Sequence, residues 1–286
     1  MTEEELVLRL RAAGCVFAEE EAALLLEQAA LVEPGSRATE LERLAVAREG
    51  GLPLEQVLGW AELAGVRVAV EPGVFVPRRR TELMVAAAVS LGSAAVASTG
   101  REVVLLDLCC GSGAVAAAVG HGLRAGGAAV GVTAADVDPV AVGCARRNLP
   151  GALVLVSDLF AALPDDLRGR VDVLTANVPY VPTGAIALMP REAREHEPRR
   201  TLDGGADGLA VFRRVAAEAP GWLAPGGTLL VETSERQVPA AFAVLEQAGL
   251  VAEVRVDEDL GAVVVLGTRP PAPAEHASGG GVRPRR

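Results

Sequence analysis

The sequence predicts an α/β protein in which a small helical domain precedes a parallel sheet covered on both faces, and three observations carry that prediction. From Thr81 onward, near-continuous apolar runs of strand length alternate with helix-compatible stretches, the pattern of parallel strands buried on both sides. The runs are VVLLDL (103–108), AAVGVTAADV (128–137), ALVLVSD (152–158), VDVLTAN (171–177) and GTLLVET (227–233). Two later runs, AEVRVDED and AVVVLGT, meet at the short turn Asp259-Leu260-Gly261, which has no room for a helical crossover, so this pair is antiparallel. Before Thr81 the rhythm is different: short helical segments, then alternating valines.

Taken in order, residues 1–63 read as the helical domain. Leu6 and Leu10 precede Gly14, and EEEAALLLEQAALVEPG forms a second segment stopped by Pro34-Gly35. Thr39, with Glu42 three residues on, predicts a capping box opening a third helix that ends at Gly50-Gly51. A fourth, short helix starts at Pro53. Val66, Val68 and Val70 then alternate, Glu71-Pro72-Gly73 turns the chain, and Val74 and Val76 follow; residues 64–80 are therefore expected to be a β-hairpin linker. The sheet domain occupies 81–269. The tail, 270–286, has no apolar period and is expected to be disordered.

Composition excludes several function classes. A net charge of -10 and a pI near 5.0 leave no diffuse field for phosphates, which disfavours nonspecific nucleic-acid binding. Arg78, Arg79 and Arg80 are contiguous, while Arg191, Arg194, Arg199 and Arg200 are interleaved with Glu192, Glu195 and Glu197 as on a solvated face. No apolar run approaches membrane-spanning length, and the N-terminus MTEEELVLRLRAAG is acidic where a signal peptide is basic; the expectation is a cytoplasmic protein with no membrane partner. Cys15, Cys109, Cys110 and Cys144 lack C-x-x-C spacing and paired histidines, so neither structural zinc nor a disulfide framework is expected. LDGGADG (202–208) faintly resembles a calcium loop, but Gly205 and Arg214 stand where ligands belong. No metal site is predicted.

Two stretches carry chemistry. The first strand of the sheet domain ends in Asp107-Leu108-Cys109-Cys110-Gly111-Ser112-Gly113 before an alanine-rich helix, and glycines at a strand-to-helix turn let backbone amides approach a ligand. Gly111-x-Gly113-x-x-Ala116 also satisfies a relaxed dinucleotide pattern. Asp107, however, would repel a pyrophosphate and suits an ammonium, Asp136 at the second strand end suits ribose hydroxyls, and Asp158 at the third suits an adenine amine. S-adenosylmethionine carries all three groups. The second stretch is VDVLTANVPY (171–180), a buried strand that delivers Asn177, Val178, Pro179 and Tyr180, the only tyrosine, to its mouth. The Asn177 side-chain oxygen and the Val178 carbonyl suit a planar NH2 group, with the Tyr180 ring against its face.

VFVPRRRTEL (74–83), DLCCGSGA (107–114), ADVDP (135–139), SDLF (157–160), NVPY (177–180), REHEPRRTLDGGADGL (194–209) and LAPGGTLLVE (223–232) occur in the order seen in the HemK/PrmC glutamine methyltransferases, and the resemblance extends over nearly the whole chain to about residue 269. It implies a Rossmann-like class I methyltransferase sheet of five parallel strands plus a C-terminal antiparallel hairpin. It also implies an S-adenosylmethionine-dependent enzyme that methylates the side-chain amide of the glutamine in the Gly-Gly-Gln motif of peptide chain release factors. On that resemblance Asn177, Val178, Pro179 and Tyr180 form the catalytic tetrapeptide. Asp107, Cys109, Gly111, Gly113, Asp136, Asp158, Leu159 and Asn177 bind the cofactor; Asn177, Tyr180, Arg78 and Glu197 bind the substrate; and the helical domain docks the release factor. Thr81 and Pro198 also match family motifs at the site entrance. The chain departs from the family at Val178, which replaces the first proline of NPPY, at Cys109, which replaces a glycine, and at Arg79-Arg80, which replace a proline and an acidic residue. Losing the proline ring changes local order by about 0.4–1 kcal/mol, while Pro179 still biases Val178 towards an extended conformation. Two other readings of the same residues are an exocyclic adenine amine of RNA or DNA as acceptor, which poses the same NH2 problem, and a catalytically silent S-adenosylmethionine-binding partner protein.

Overall fold

The computed structural model describes residues 1–271; the disorder expected for 270–286 falls almost wholly outside them. The helical domain comprises α1 (Glu3–Ala12), α2 (Ala18–Ala30), α3 (Arg37–Glu49) and α4 (Leu54–Leu58). Their apolar faces meet in a core of their own, built on Leu6, Leu10, Leu25, Leu44 and Val57. A capping box does form, but on α1, where the Thr2 hydroxyl accepts from the Glu5 amide at 3.2 Å and the Glu5 carboxylate accepts from the Thr2 amide at 2.9 Å. The one predicted at Thr39 does not. Pro34–Ser36 forms a 3-10 turn that runs straight into α3, so the helix starts before Thr39, and Glu42 instead accepts from Arg9 of α1 at 2.7 Å.

The hairpin lies earlier than the valine alternation suggests. β1 (Trp60–Leu63) pairs antiparallel with β2 (Val66–Ala69) across Ala64-Gly65, both with positive φ (48° and 76°), as a tight two-residue hairpin turn requires. Val74 and Val76 are buried in a segment outside any strand, where the Val74 amide closes a turn by donating to the Glu71 carbonyl at 3.0 Å. Their alternation records one buried face of that segment rather than a ladder.

The sheet domain contains α5 (Glu82–Thr99), β3 (Val103–Leu108), α6 (Ala114–Ala125), β4 (Val130–Asp136), α7 (Pro139–Asn148), β5 (Leu153–Val156), β6 (Val171–Ala176), α8 (Arg191–His196), α9 (Ala210–Trp222), β7 (Leu223–Thr233), α10 (Val238–Gln247), β8 (Val251–Asp257) and β9 (Ala262–Thr268). Strand order is β5-β4-β3-β6-β7-β9-β8; the first five are parallel, and β9 runs antiparallel to both β7 and β8. Alternate residues of one strand feed opposite faces: Leu105 joins the layer with Met84 and Val119, Leu106 the layer with Phe212 and Trp222. By length and composition α5 could cross a membrane, contrary to the expectation that no run approaches that size. Here it lies on the sheet, with Met84, Val85, Ala87 and Ala88 buried in the core.

The two cores are joined by a charge. Arg48 of α3 is buried, donates to Glu21 of α2 at 2.6 Å and to the Leu52 carbonyl at 3.2 Å, and pairs with Glu192 of α8. The short helix leading to Glu197 is thus tied to the helical domain.

Candidate active site

Sheet order decides where ligands can sit. From β3 the chain proceeds outward to β4 and β5 on one side, then returns to β6 and β7 on the other, so the crevice at the C-terminal ends of β3 and β6 is the topological switch point. Asp107 is in register with Thr175 and Leu108 with Ala176, which sets the glycine turn beside Asn177. Both line one cleft, together with Phe75, Arg78, Asp136 and Tyr180.

The turn after β3 uses left-handed backbone at alternate positions, Cys109 (φ 52°), Gly111 (54°) and Gly113 (78°). A side chain in that region is strained by about 1–2 kcal/mol, a cost this chain carries at Cys109. A Cβ on Gly113 would lie 2.9 Å from the Leu149 Cδ1, whereas at Gly111 only the Phe75 Cβ lies within reach, at 4.0 Å. Gly113 therefore serves packing behind the turn, and Gly111 leaves the cleft side open. Burial pushes both the Cys109 and Cys110 thiols up, so they remain neutral.

Asp107 is only 1% exposed. Its Oδ1 accepts from the Thr175 hydroxyl at 2.8 Å and its Oδ2 from the Ala116 amide at 3.3 Å, with no cationic side chain bonded to it among the described residues. Burial pushes its carboxyl up to about 7 despite those two donors. Asp136 accepts from the Gly111 and Asp138 amides, each at 2.9 Å; burial raises its carboxyl too, and the two amides offset part of the shift. These features fit a ligand with an ammonium for Asp107 and hydroxyl donors for Asp136. Asp158 is elsewhere: its side chain is 58% exposed and bonds Arg214 at 2.9 Å. Leu159 is a buried core residue with φ 52° whose carbonyl accepts from the Ser157 hydroxyl at 2.8 Å. Neither lines the cleft, and nor does Gly113.

At the exit of β6 the Asn177 side chain and the Val178 carbonyl have no hydrogen-bond partner among the described residues. The Val178 side chain is buried in the layer containing Phe212 and Leu209, which anchors the tetrapeptide from below. The loop 202–208 braces it from the side: Val181 donates to the Leu202 carbonyl at 3.0 Å and Gly204 to the Val181 carbonyl at 2.9 Å. The aspartates of LDGGADG are engaged by neighbouring residues, Asp203 accepting from the Thr183 hydroxyl at 2.6 Å, the Gly205 amide at 3.1 Å and Arg199 at 3.2 Å, Asp207 from the Leu209 amide at 3.1 Å and Arg213 at 3.0 Å. Gln237 closes the frame by donating to the Tyr180 carbonyl at 2.9 Å and the Asp207 carbonyl at 3.0 Å. Its own Oε1 accepts from the Thr233 and Ser234 hydroxyls at 3.0 and 2.7 Å.

The remaining charges are paired. Arg78 pairs with Glu197, whose side chain is fully buried; burial raises the Glu197 carboxyl and Arg78 counteracts it. Glu232, at the end of β7, is 1% exposed and accepts from the Tyr180 hydroxyl at 2.9 Å, Thr81 at 2.7 Å and Arg80 at 2.8 Å. Sequence reading missed Glu232 and Gln237. Glu232 carries the same signal that identified Asp107 and Asp136, an acid at the end of an apolar strand. Gln237 carries none, because its importance comes from folding back onto Tyr180.

No family model matches the chain. Curated relatives do. It is 36% identical over 252 residues to the release factor glutamine methyltransferase of Bordetella pertussis, covering 87% of this chain and 88% of that one. The chain belongs to the release factor glutamine methyltransferase family. Members from Mycolicibacterium smegmatis, 38% identical over 207 residues and covering 70% and 69% of the two chains, and from Bradyrhizobium diazoefficiens, 32% identical over 277 residues and covering 90% of each, agree. The fold is shared with a methyltransferase from Pyrococcus furiosus, at a TM-score of 0.50 and 15% identity over 72% of this chain and 90% of that one.

The brace generates a prediction. Gly208 has φ 78°, and a Cβ there would overlap the Tyr180 carbonyl oxygen and the Gln237 amide. Gly208→Ala should lower stability by about 2 kcal/mol or more, read as a shift in the denaturant midpoint; a midpoint equal to that of the wild type would show that loop 202–208 does not brace the tetrapeptide.

Proposed function

We propose that this family member transfers the methyl group of S-adenosylmethionine to the side-chain amide nitrogen of the Gly-Gly-Gln glutamine in a peptide chain release factor, in the cytoplasm. One observation carries the reading: among the described residues two acceptors without partners, the Asn177 side chain and the Val178 carbonyl, share a cleft with the Asp107 carboxylate, to which no cation of those residues is bonded. A primary amide brings two coplanar N–H donors to the first pair, and an amino-acid-bearing cofactor brings an ammonium to the second. The names of the curated relatives support the release factor as acceptor.

S-adenosylmethionine, when bound, supplies a methyl group attached to a positively charged sulfur. Asp107 holds the ammonium, the open side of Gly111 admits the ligand close to the backbone, and Asp136 accepts from ribose hydroxyls. Asp158, committed to Arg214 and outside the cleft lining, and Leu159, in the core, are not assigned contacts.

An amide nitrogen is a poor nucleophile because its lone pair is delocalised into the carbonyl. Alignment is therefore the main lever, and a well-oriented pair of groups can lower a barrier by up to about 7–11 kcal/mol. Asn177 and the Val178 carbonyl accept hydrogen bonds from the two amide N–H groups and thereby fix the plane of the nitrogen, while Tyr180 covers the acceptor and excludes water. As the nitrogen becomes positive, both acceptors bind its protons more tightly than in the ground state. Glu232 already receives three donors, so it is not the base; the N-methylated cation is acidic enough to lose its proton to water. The helical domain, α1–α4, docks the release factor, and the Arg48–Glu192 pair ties it to the segment that carries Glu197.

Two outcomes follow for solution work. Asn177→Ala should lower turnover on unmethylated release factor by about a hundredfold or more, as loss of a transition-state acceptor does, while calorimetry finds cofactor affinity nearly unchanged; equal loss of both, or full activity, would sink the assignment. Asp107 gives a pH signature. With its carboxyl raised from 3.8 to about 7, the ligand-free fold binds more protons than the unfolded chain across that window, so its stability falls as pH rises from about 4 to 7. Binding an ammonium reverses the preference, so cofactor binding should release a proton below pH 7 and weaken progressively as pH falls. Titrations in buffers of different ionisation enthalpy check this, and pH-independent affinity between 5.5 and 7.5 would exclude Asp107 as the ammonium partner.

A further inference from the structure

We propose that Arg80 is a positioning residue that sets the Tyr180 ring for the acceptor, acting through the Glu232 carboxylate. The proposal rests on the acceptor-covering role given to Tyr180 above. One oxygen, Glu232 Oε1, accepts from both the Arg80 Nε at 2.8 Å and the Tyr180 hydroxyl at 2.9 Å, while Oε2 accepts from the Thr81 hydroxyl at 2.7 Å. Burying a carboxylate this deeply is costly without a counter-charge, and among the described residues Arg80 is the cation bonded to it. The same guanidinium lies over the Tyr180 ring, 5.7 Å from its centroid, within cation–π range. Arg80 therefore touches both ends of the arrangement: it stabilises the anion that receives the phenolic proton, and it covers one ring face.

The phenol remains a donor because burial, reinforced by Glu232, pushes its ionisation up; Arg80 and Arg78 oppose that shift only in part. Arg78 is itself engaged by Glu197. Its hydroxyl is tethered and one face is covered by the guanidinium, which together fix the ring's orientation, and Tyr180 lines the cleft that contains Asn177. Arg80 is partly exposed, so replacing its charge while keeping its aliphatic stem spares the core.

Tyr180 is the only tyrosine, so ring-13C-tyrosine labelling gives one set of ring signals that reports this side chain without cofactor or acceptor. Arg80→Met should move or broaden those signals and lower turnover on unmethylated release factor by about a hundredfold, the scale of a small misplacement, with cofactor affinity unchanged. Arg80→Lys should recover most of both. Arg80→Met combined with Glu232→Gln should be more active than Arg80→Met alone, because the uncompensated buried charge is gone. Wild-type signals and turnover in Arg80→Met, or a double variant no better than the single, would overturn the proposal. If the wild type itself fails to methylate a release factor while the ring signals respond as described, the acceptor reading fails and the Arg80–Tyr180 coupling stands.

Discussion

The parallel pairing of β3 with β6 is the constraint on which the rest of the site depends. Because Asp107 faces Thr175 across that pair, the Thr175 hydroxyl can reach the Asp107 carboxylate, and the two chains leave the sheet side by side at the switch point. The glycine turn and the NVPY tetrapeptide then open onto one cleft although about 65 residues separate them in sequence. A shift of one residue in this register would reverse which side chains face the crevice, sending Asp107 towards the opposite layer.

Buried acids are handled in three different ways around that cleft. Glu232 is neutralised by a cation and two hydroxyls. Glu197 has one arginine. Among the described residues Asp107 has only neutral donors, and burial raises its carboxyl. Since an isolated buried carboxylate is costly, the one left without a cation is the one that a cationic ligand would stabilise most. The supporting frame, by contrast, is hydrogen-bonded: Gln237 holds the Tyr180 carbonyl, and the loop 202–208 holds both backbone groups of Val181. Hydrogen-bonding capacity is left open at Asn177 and Val178, where a substrate amide would be received.

Much of this was legible in the sequence, for physical reasons that also mark where legibility ends. Five parallel strands and the antiparallel hairpin are visible because buried parallel strands are continuous apolar runs, and all seven lie within a few residues of their predicted positions. Local signals that depend on a single turn fared worse. Thr39 and Glu42 have capping-box spacing, yet the Pro34–Ser36 turn had already begun the helix. The valines at 66–76 alternate, but the positive φ of Ala64 moved the hairpin turn ahead of them. In the site, Asp107, Asp136, Asn177 and Tyr180 were readable from strand ends, whereas Gln237 and Arg80 act through tertiary contacts that no spacing reveals. Asp158 had the right strand-end position and was captured by Arg214, on the distant helix α9.

Mass spectrometry of a defined acceptor tests the central claim most directly. Unmethylated release factor would be incubated with the enzyme and S-adenosylmethionine labelled in the methyl group, then digested and sequenced by tandem fragmentation. The account predicts one added methyl group, on the side-chain nitrogen of the Gly-Gly-Gln glutamine, in the wild type. A methyl on any other residue of the release factor, or no methylation there while nucleic acid in the same reaction becomes labelled, would contradict it.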